Sequence, residues 1–187
     1  VVDIIVRRRE TGGLVNIQAT NAPHMLFSED NVVAKFNHNK SQWGLFYNLS
    51  ARNFKKTYTD IDETYVLENK TIHRVQEGLH DQNKHFTHNI DLSYNLTEQD
   101  KYVFNVVFRN SVYDAPCLNQ SNKLYDAADA DNYIFSRLKN KQSSYTPSLD
   151  LYYQRTLPKN QMLTMSVTGT LMHTDNNRLY HEYTPQA

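Results

Sequence analysis

The sequence of 187 residues predicts an all-β fold, namely an antiparallel up-and-down transmembrane β-barrel segment of about seven strands. Three observations predict it. Apolar and polar residues alternate with a period of two over much of the chain, as they do on the two faces of a strand. Short and long connections alternate between these segments. Aromatic residues, which include 13 Tyr, cluster beside the short connections.

Composition excludes several other classes. The 20 Lys and Arg residues balance the 20 Asp and Glu residues, and this zero net charge argues against nucleic acid as a partner. No apolar run approaches the roughly 18 residues of a membrane helix. The single cysteine, Cys117, excludes an internal disulfide framework. Because the chain begins Val-Val-Asp, we expect it to be part of a longer sequence whose export signal lies outside this piece.

The strands are predicted from the alternation in chain order. It is weakest in the first pair of segments and clearest in residues 86–96, where the even-numbered positions are Phe, His, Ile, Leu, Tyr and Leu, and the odd-numbered ones are polar. A helix would scatter these two sets around its circumference. The seven predicted strand segments are 15–19, 32–36, 43–51, 86–96, 102–111, 145–154 and 163–171.

The connections predict the layout of a membrane barrel. Three are short and rich in Asn, Asp, Ser and Pro, at 38–41, 97–100 and 157–160. Three are predicted as long loops, at 22–30, 57–80 and 114–142. The motif Asp91-Leu92-Ser93-Tyr94 returns as Asp150-Leu151-Tyr152-Tyr153, a hairpin repeat of 59 residues. Tight turns at one end and long loops at the other are typical of outer-membrane barrels.

Strand length and aromatic placement fit a membrane. An 11-residue strand tilted near 45° covers roughly 25 Å, the height of the apolar band of such barrels. Aromatic side chains favour the boundary between lipid and water. The predicted membrane-interface girdle consists of Phe36, Trp43, Tyr94, Tyr102 and Tyr153. A soluble β-sandwich also alternates and is the alternative fold.

Ligand contact is expected in the longest predicted loop, 114–142, because loops on rigid scaffolds often bind ligands. Its aromatic and carboxylate composition suits sugars, peptides or metal chelates. The candidate ligand-binding residues are Tyr125, Asp126, Asp129, Asp131 and Tyr133. A calcium site in the acidic segment 126–132 is a weaker hypothesis, because this segment lacks the glycine and distal Glu of an EF-hand loop.

No catalytic residue, metal ligand or cofactor site is predicted. His80, His85 and His88 invite a metal hypothesis, but His85 and His88 differ in parity and would face opposite sides of a strand. The sequence has no Gly-x-Ser-x-Gly motif. We therefore expect that the chain is not an enzyme.

The first residues resemble a known family. Val1-Val2-Asp3-Ile4-Ile5-Val6-Arg7-Arg8-Arg9 resembles the last plug strand and basic linker of TonB-dependent receptor-like outer-membrane β-barrel proteins. Gly12-Gly13-Leu14-Val15-Asn16-Ile17 resembles the entry into the first barrel strand. The resemblance implies that residues 1–11 are the end of a plug and its linker, and that 12–187 are the first hairpins of the barrel. No TonB box is present, and seven strands cannot close a wide barrel.

This resemblance implies a receptor or transporter in the cell outer membrane for energy-coupled nutrient uptake. Its implied partners are outer-membrane lipid, the plug domain and remaining barrel strands of the same chain, an inner-membrane energy-coupling complex and an unknown small nutrient ligand. Two alternatives stay open. A soluble all-β binding or adhesion module predicts an apolar core between two sheets. An outer-membrane hydrolase predicts a Ser–His pair on the barrel wall.

Overall fold

The computed structural model describes residues 11–22, 24, 27–98 and 100–185. They form ten antiparallel strands in one sheet that curls into half a barrel. In chain order the strands are β1 (Thr11–Ala22), β2 (Phe27–His38), β3 (Ser41–Thr57), β4 (Ile61–Leu67), β5 (Lys70–Leu79), β6 (Asp81–Glu98), β7 (Tyr102–Asp126), β8 (Asp129–Leu157), β9 (Gln161–Thr170) and β10 (His173–Tyr183). The predicted plug strand and linker lie outside the described residues, except for Thr11. None of the described residues belongs to a helix with the length and apolar character needed to cross a bilayer.

The ten strands form seven long runs. One to three residues separate β3 from β4, β5 from β6, and β9 from β10. The two strands of each such pair form one run, because both hydrogen-bond to the same neighbouring run. β9 and β10, for example, both pair with β8. Each of the seven segments predicted from alternation lies within one of these runs. The all-β, antiparallel prediction is confirmed.

The three short connections all lie at one end of the sheet. β2 and β3 join through Asn39 and Lys40, and β8 joins β9 through a 3-10 turn at Pro158–Asn160. Asn39 and Lys159 have positive φ angles, which tight hairpin turns require. The Lys40 carbonyl accepts a bond from the Thr97 amide at 3.0 Å, which ties the first turn to β6.

The prediction of long loops at 57–80 and 114–142 is wrong. Residues 61–79 form the β4–β5 hairpin, closed by Glu68 and Asn69, both with positive φ. Residues 114–142 are the ends of β7 and β8, closed by Ala127 and Ala128. Apolar and polar residues mix on both faces of these extensions, as Tyr65 and Val66 show in β4, so the sequence lacks the alternation that marks a strand with one apolar face. The first predicted loop is also short, since β1 ends at Ala22 and β2 begins at Phe27.

The register divides the sheet into two halves. In the proximal half, formed by residues 11–22, 27–57, 81–98, 102–115 and 142–170, strand pairing is regular up to its distal border. Three register shifts lie along that border, at Phe54/Thr57, Lys84/Phe86 and Ala115/Leu118. The distal half comprises residues 58–80, 118–140 and 173–183. It contains a further shift beside Tyr125.

Side chains on one face of the proximal half form apolar rows across the sheet. One row crosses all seven runs through Val15, Ala34, Leu45, Leu92, Phe108, Leu149 and Gly169. The described residues include only three buried apolar side chains, Ala51, Ala115 and Leu124. No second layer of described residues covers the apolar face, which differs from the core that a β-sandwich requires.

Candidate functional site

The five predicted ligand-binding residues lie at the tip of the β7–β8 hairpin. Tyr125 pairs with Tyr133, and Asp126 pairs with Asp129 across the two-residue turn. They are strand residues, so the prediction that they lie in a loop is wrong, and their role in ligand binding stays a prediction. Asp131 lies in the stretch 130–132, which has no paired residue on β7. The tip therefore brings four of the five predicted residues together in two cross-strand pairs, and Asp131 has no paired residue on β7.

The aromatic residues of this tip are already paired with charged groups of the same sheet. The Lys123 ammonium lies 4.7 Å from the Tyr125 ring centroid and 4.5 Å from that of Tyr133, within the range of cation–π attraction. The Tyr125 hydroxyl donates to Glu77 Oε1 at 2.6 Å. That bond to the Glu77 carboxylate is the main cause that raises the pKa of the Tyr125 phenol. These contacts stabilise the hairpin tip.

The five predicted girdle residues share the apolar face at the short-turn end. Phe36 pairs with Trp43, and Trp43 pairs with Tyr94 with ring centroids 4.4 Å apart. Tyr102 and Tyr153 lie on neighbouring runs, and their parity places them on the same face. Trp43 is 55% exposed although strands flank it on both sides. The assignment of this row to a membrane boundary stays a prediction.

Sequence analysis missed a cavity on the opposite, polar face. Its volume is about 480 Å³, and it lies at the border between the proximal and distal halves. The cross-strand row Phe54, Asn83, Leu118 and Asn140 lines it, and so does Tyr58. The parity of β6 and β8 places the cavity on the face that also holds Asp91 and Asp150.

Strand irregularities create this cavity. β7 contains one extra residue between Asp114 and Cys117 relative to β6, and between Ala115 and Leu118 relative to β8. β3 contains one between Phe54 and Thr57 relative to β6. Such bulges bend a strand and re-aim its side chains. Next to them, the backbone of Thr59 passes so close to Gly78 that a Cβ there would lie 2.5 Å from the Thr59 nitrogen. Asp60 fixes this crossing by accepting a 2.8 Å bond from the Gly78 amide.

The cavity collects buried polar atoms without protein partners. Six such atoms occur among the described residues, and four belong to residues that line this cavity. Asp81 and Asn122 are 9% and 7% exposed. The four atoms are Asp81 Oδ2, His85 Nδ1, Asn122 Oδ1 and Asn140 Oδ1.

Neighbouring hydrogen bonds hold these side chains in place. Asp81 Oδ1 accepts a bond from the Ser121 hydroxyl at 3.1 Å, and Asn122 Nδ2 donates to Ser136 Oγ at 3.4 Å. Each residue thus uses one polar atom for the scaffold and leaves its other oxygen free. Because an unpaired buried polar group costs free energy, this concentration marks a functional-site candidate.

One sequence feature could have located the cavity. Pro116 lies within β7, which pairs on both sides, and proline inside a paired strand is confined to bulges because it has no N–H to donate. Because 114–142 was predicted to be a loop, Pro116 did not indicate a bulge in a strand.

The described histidines provide no metal centre. No group of three or more His, Cys, Asp or Glu side chains that could hold a metal ion occurs within the described ranges. His88 Nδ1 lies 2.9 Å from the Tyr47 hydroxyl, and His73 Nε2 lies 2.5 Å from Asp62 Oδ1. These two rings are therefore engaged with neighbouring strands.

No family model, curated protein or solved structure matches this chain. The fold and the site are therefore interpreted from their own geometry.

Proposed function

We propose that this chain is part of the barrel wall of an outer-membrane receptor or transporter that takes up a small nutrient with energy supplied from the inner membrane. In this proposal the proximal half spans the membrane and the distal half extends outside the cell. A plug domain and further strands of the same protein would complete the barrel. The chain binds and encloses its nutrient and performs no chemistry on it.

The observation that supports this proposal most is the uncovered apolar face. Leu92 lies on β6 between two paired strands and is still 44% exposed. Its neighbours across the sheet, Leu45 and Phe108, extend the same apolar row. A continuous exposed apolar surface of this width is rare on soluble monomers and is typical of surfaces that contact lipid or another protein. Because the row has regular register on every strand, it fits a flat lipid slab.

The opposite face fits a water-filled interior. Asp91 and Arg109 are paired residues on β6 and β7, and Arg109 donates to the Asp150 carboxylate on β8. The Ser111 hydroxyl donates to Asn89 Oδ1 at 2.8 Å on the same face. Charged and polar groups of this kind line the interior of membrane barrels, where water and neighbouring side chains solvate them.

The strand lengths fit the same arrangement. β8 contains 29 residues. At ~3.3 Å per residue it extends roughly 95 Å, far more than a tilted strand needs to cross a bilayer. The proposal assigns the excess to the exterior, where the β7–β8 tip and the cavity would meet the nutrient.

The test is to purify the full-length protein from bacterial membranes and measure its heat-modified gel mobility in detergent. A folded membrane barrel migrates faster before boiling than after it. The protein should also insert into lipid vesicles. Brominated lipid chains that surround Trp43 should then quench the fluorescence of its indole ring. A protein that stays monomeric in water without detergent and shows no such quenching would instead be a soluble all-β module.

A second measurement tests the transport part of the proposal. Uptake of radiolabelled nutrient mixtures by cells with and without the protein should differ, and the difference should disappear when the inner-membrane proton gradient is collapsed. Uptake that is independent of the gradient would contradict energy coupling and leave a passive pore.

A further inference from the structure

We propose that the polar-face cavity binds the primary ammonium group of a small cationic ligand with an apolar or aromatic body. This inference rests on the proposed function, because it identifies the class of nutrient that the barrel interior would recognise. It depends on the chemistry of the cavity wall and on the burial of two of its side chains.

The unpartnered atoms of the cavity fit a ligand that donates hydrogen bonds. Three of the four are oxygens, Asp81 Oδ2, Asn122 Oδ1 and Asn140 Oδ1, and these can only accept. The fourth, His85 Nδ1, accepts in one tautomer of the neutral ring. An ammonium group has three donors and no acceptor.

The charge of the cavity points to a cation. Asp81 is the one carboxylate among the described residues that line the cavity, and these include no Lys or Arg. Its side chain is more than nine-tenths buried, and no described residue forms a salt bridge with it. A buried carboxylate is costly without a positive partner, so a cationic ligand would gain the full benefit of pairing with it.

The remaining walls fit an apolar ligand body. Phe54 and Tyr58 line the cavity and are 42% and 58% exposed. Leu79, Leu118 and Leu138 supply further apolar surface. The volume of about 480 Å³ lies within the usual range for small-molecule sites. A few polar atoms in a largely apolar concave surface are the general pattern of such sites.

The test compares phenethylamine with 2-phenylethanol, which have the same aromatic body but differ in the terminal group. Binding to the full-length protein in detergent micelles would be measured by saturation-transfer NMR and titration calorimetry. We expect the amine to bind at least about tenfold more tightly than the alcohol. Equal affinities, or binding of glucose but not of the amine, would overturn the inference.

Two substitutions assign the effect to the cavity. Asp81→Asn keeps the size of the side chain and removes its charge, and it should lower amine affinity to that of the alcohol. Asp100→Asn makes the same chemical change at the exposed short-turn end, away from the cavity, and should leave binding unchanged. Asn122→Asp adds a second carboxylate and should tighten amine binding severalfold. This last variant keeps the test decisive if Asp81→Asn does not fold, since unchanged amine affinity in it would overturn the inference.

The outcomes separate this inference from the proposed function. If the same preparations keep heat-modified mobility but do not bind the amine, the barrel proposal stands and the ligand inference fails. If binding is absent and Asp81→Asn lowers the thermal midpoint of the protein, the partner of Asp81 is a cationic group of the same protein, which also overturns the inference. Amine binding without heat-modified mobility would support the site and contradict the barrel.

Discussion

The proximal and distal halves of the sheet use the same strands but follow different rules. In the proximal half one face is mainly apolar and the other mainly polar, and register shifts occur only at its distal border. In the distal half apolar and polar residues mix on both faces, and a further register shift occurs beside the hairpin tip. Lipid cannot satisfy an unpaired backbone group, whereas water can. Under the proposal that the proximal half lies in lipid and the distal half in water, regular pairing is required in the first and optional in the second.

The sharpest way to break this comparison is to place the same charge on each face of one strand. Val106 faces the apolar side and Val107 faces the polar side, where it pairs with Ser93 and Asp150. Val106→Lys should destabilise the protein in lipid vesicles by about 2–3 kcal/mol, because the ammonium would face hydrocarbon. Val107→Lys is the matched control and should be nearly neutral, since Asp150 lies across from it. Reversible denaturant titration measures both, and equal effects would contradict the assignment of the two faces.

Gly78→Ala tests the tight crossing in the distal half. The new Cβ would lie 2.5 Å from the Thr59 nitrogen, so the backbone must move. We expect a loss of about 1–2 kcal/mol and faster amide hydrogen exchange in residues 58–60. Gly169→Ala is the control, because nothing lies within 4 Å of its added methyl group. Protection of residues 58–60 that does not change would show that the crossing is not fixed by this contact.

The ion pair between Arg109 and Asp150 sharpens the description of the polar face. Its side chains are 48% and 35% exposed, so solvent screens their attraction. Arg109→Gln should therefore reduce unfolding free energy by no more than about 1 kcal/mol. The effect should shrink in high salt if the face is wet. A loss of several kcal/mol that is insensitive to salt would indicate that the pair is sealed from water, contrary to a pore wall.

The smallest expected effect concerns the short-turn end. Glu98 pairs with Lys101 at 2.8 Å and Lys40 at 2.9 Å, and these hydrogen-bonded ammonium groups lower the pKa of Glu98 from 4.5 to about 2. Because the folded pKa lies below the unfolded one, the stabilisation is complete above pH 4.5 and is lost as the pH falls through about 2. A carbon-13 NMR titration should show this low pKa, and Lys101→Met should raise it. A pKa near 4.5 in the original protein would contradict the pairing.

How much of the fold could be predicted depended on the surroundings of each segment. The run 86–96 was identified because every second residue is apolar, which an apolar environment on one side enforces. The β4–β5 hairpin was missed because it has no such constraint and closes through Glu68 and Asn69 rather than through glycine. Parity along the strands gave the face of each girdle residue, and it remained valid because the proximal strands pair regularly.

The cavity could not be predicted from the sequence, for a different reason. Asp81, Asn122 and Asn140 are distant in the chain and meet only because bulges in β3 and β7 re-aim their strands. Bulges leave little trace in composition, and Pro116 was the one residue that indicated one. The five tip residues are close together in the sequence, but their aromatic and acidic composition could not show that Lys123 and Glu77 already pair with Tyr125.

The regular register of the proximal half also limits how its gene can change. Inserting one codon into β6 would turn every later side chain of that strand to the opposite face, whereas inserting two would restore the original orientation. At the border, β3 and β7 already contain single extra residues relative to their neighbours. Natural length variants should therefore accumulate beyond the bulges and be even-numbered below them, so that new recognition surfaces can arise without disturbing the wall that supports them.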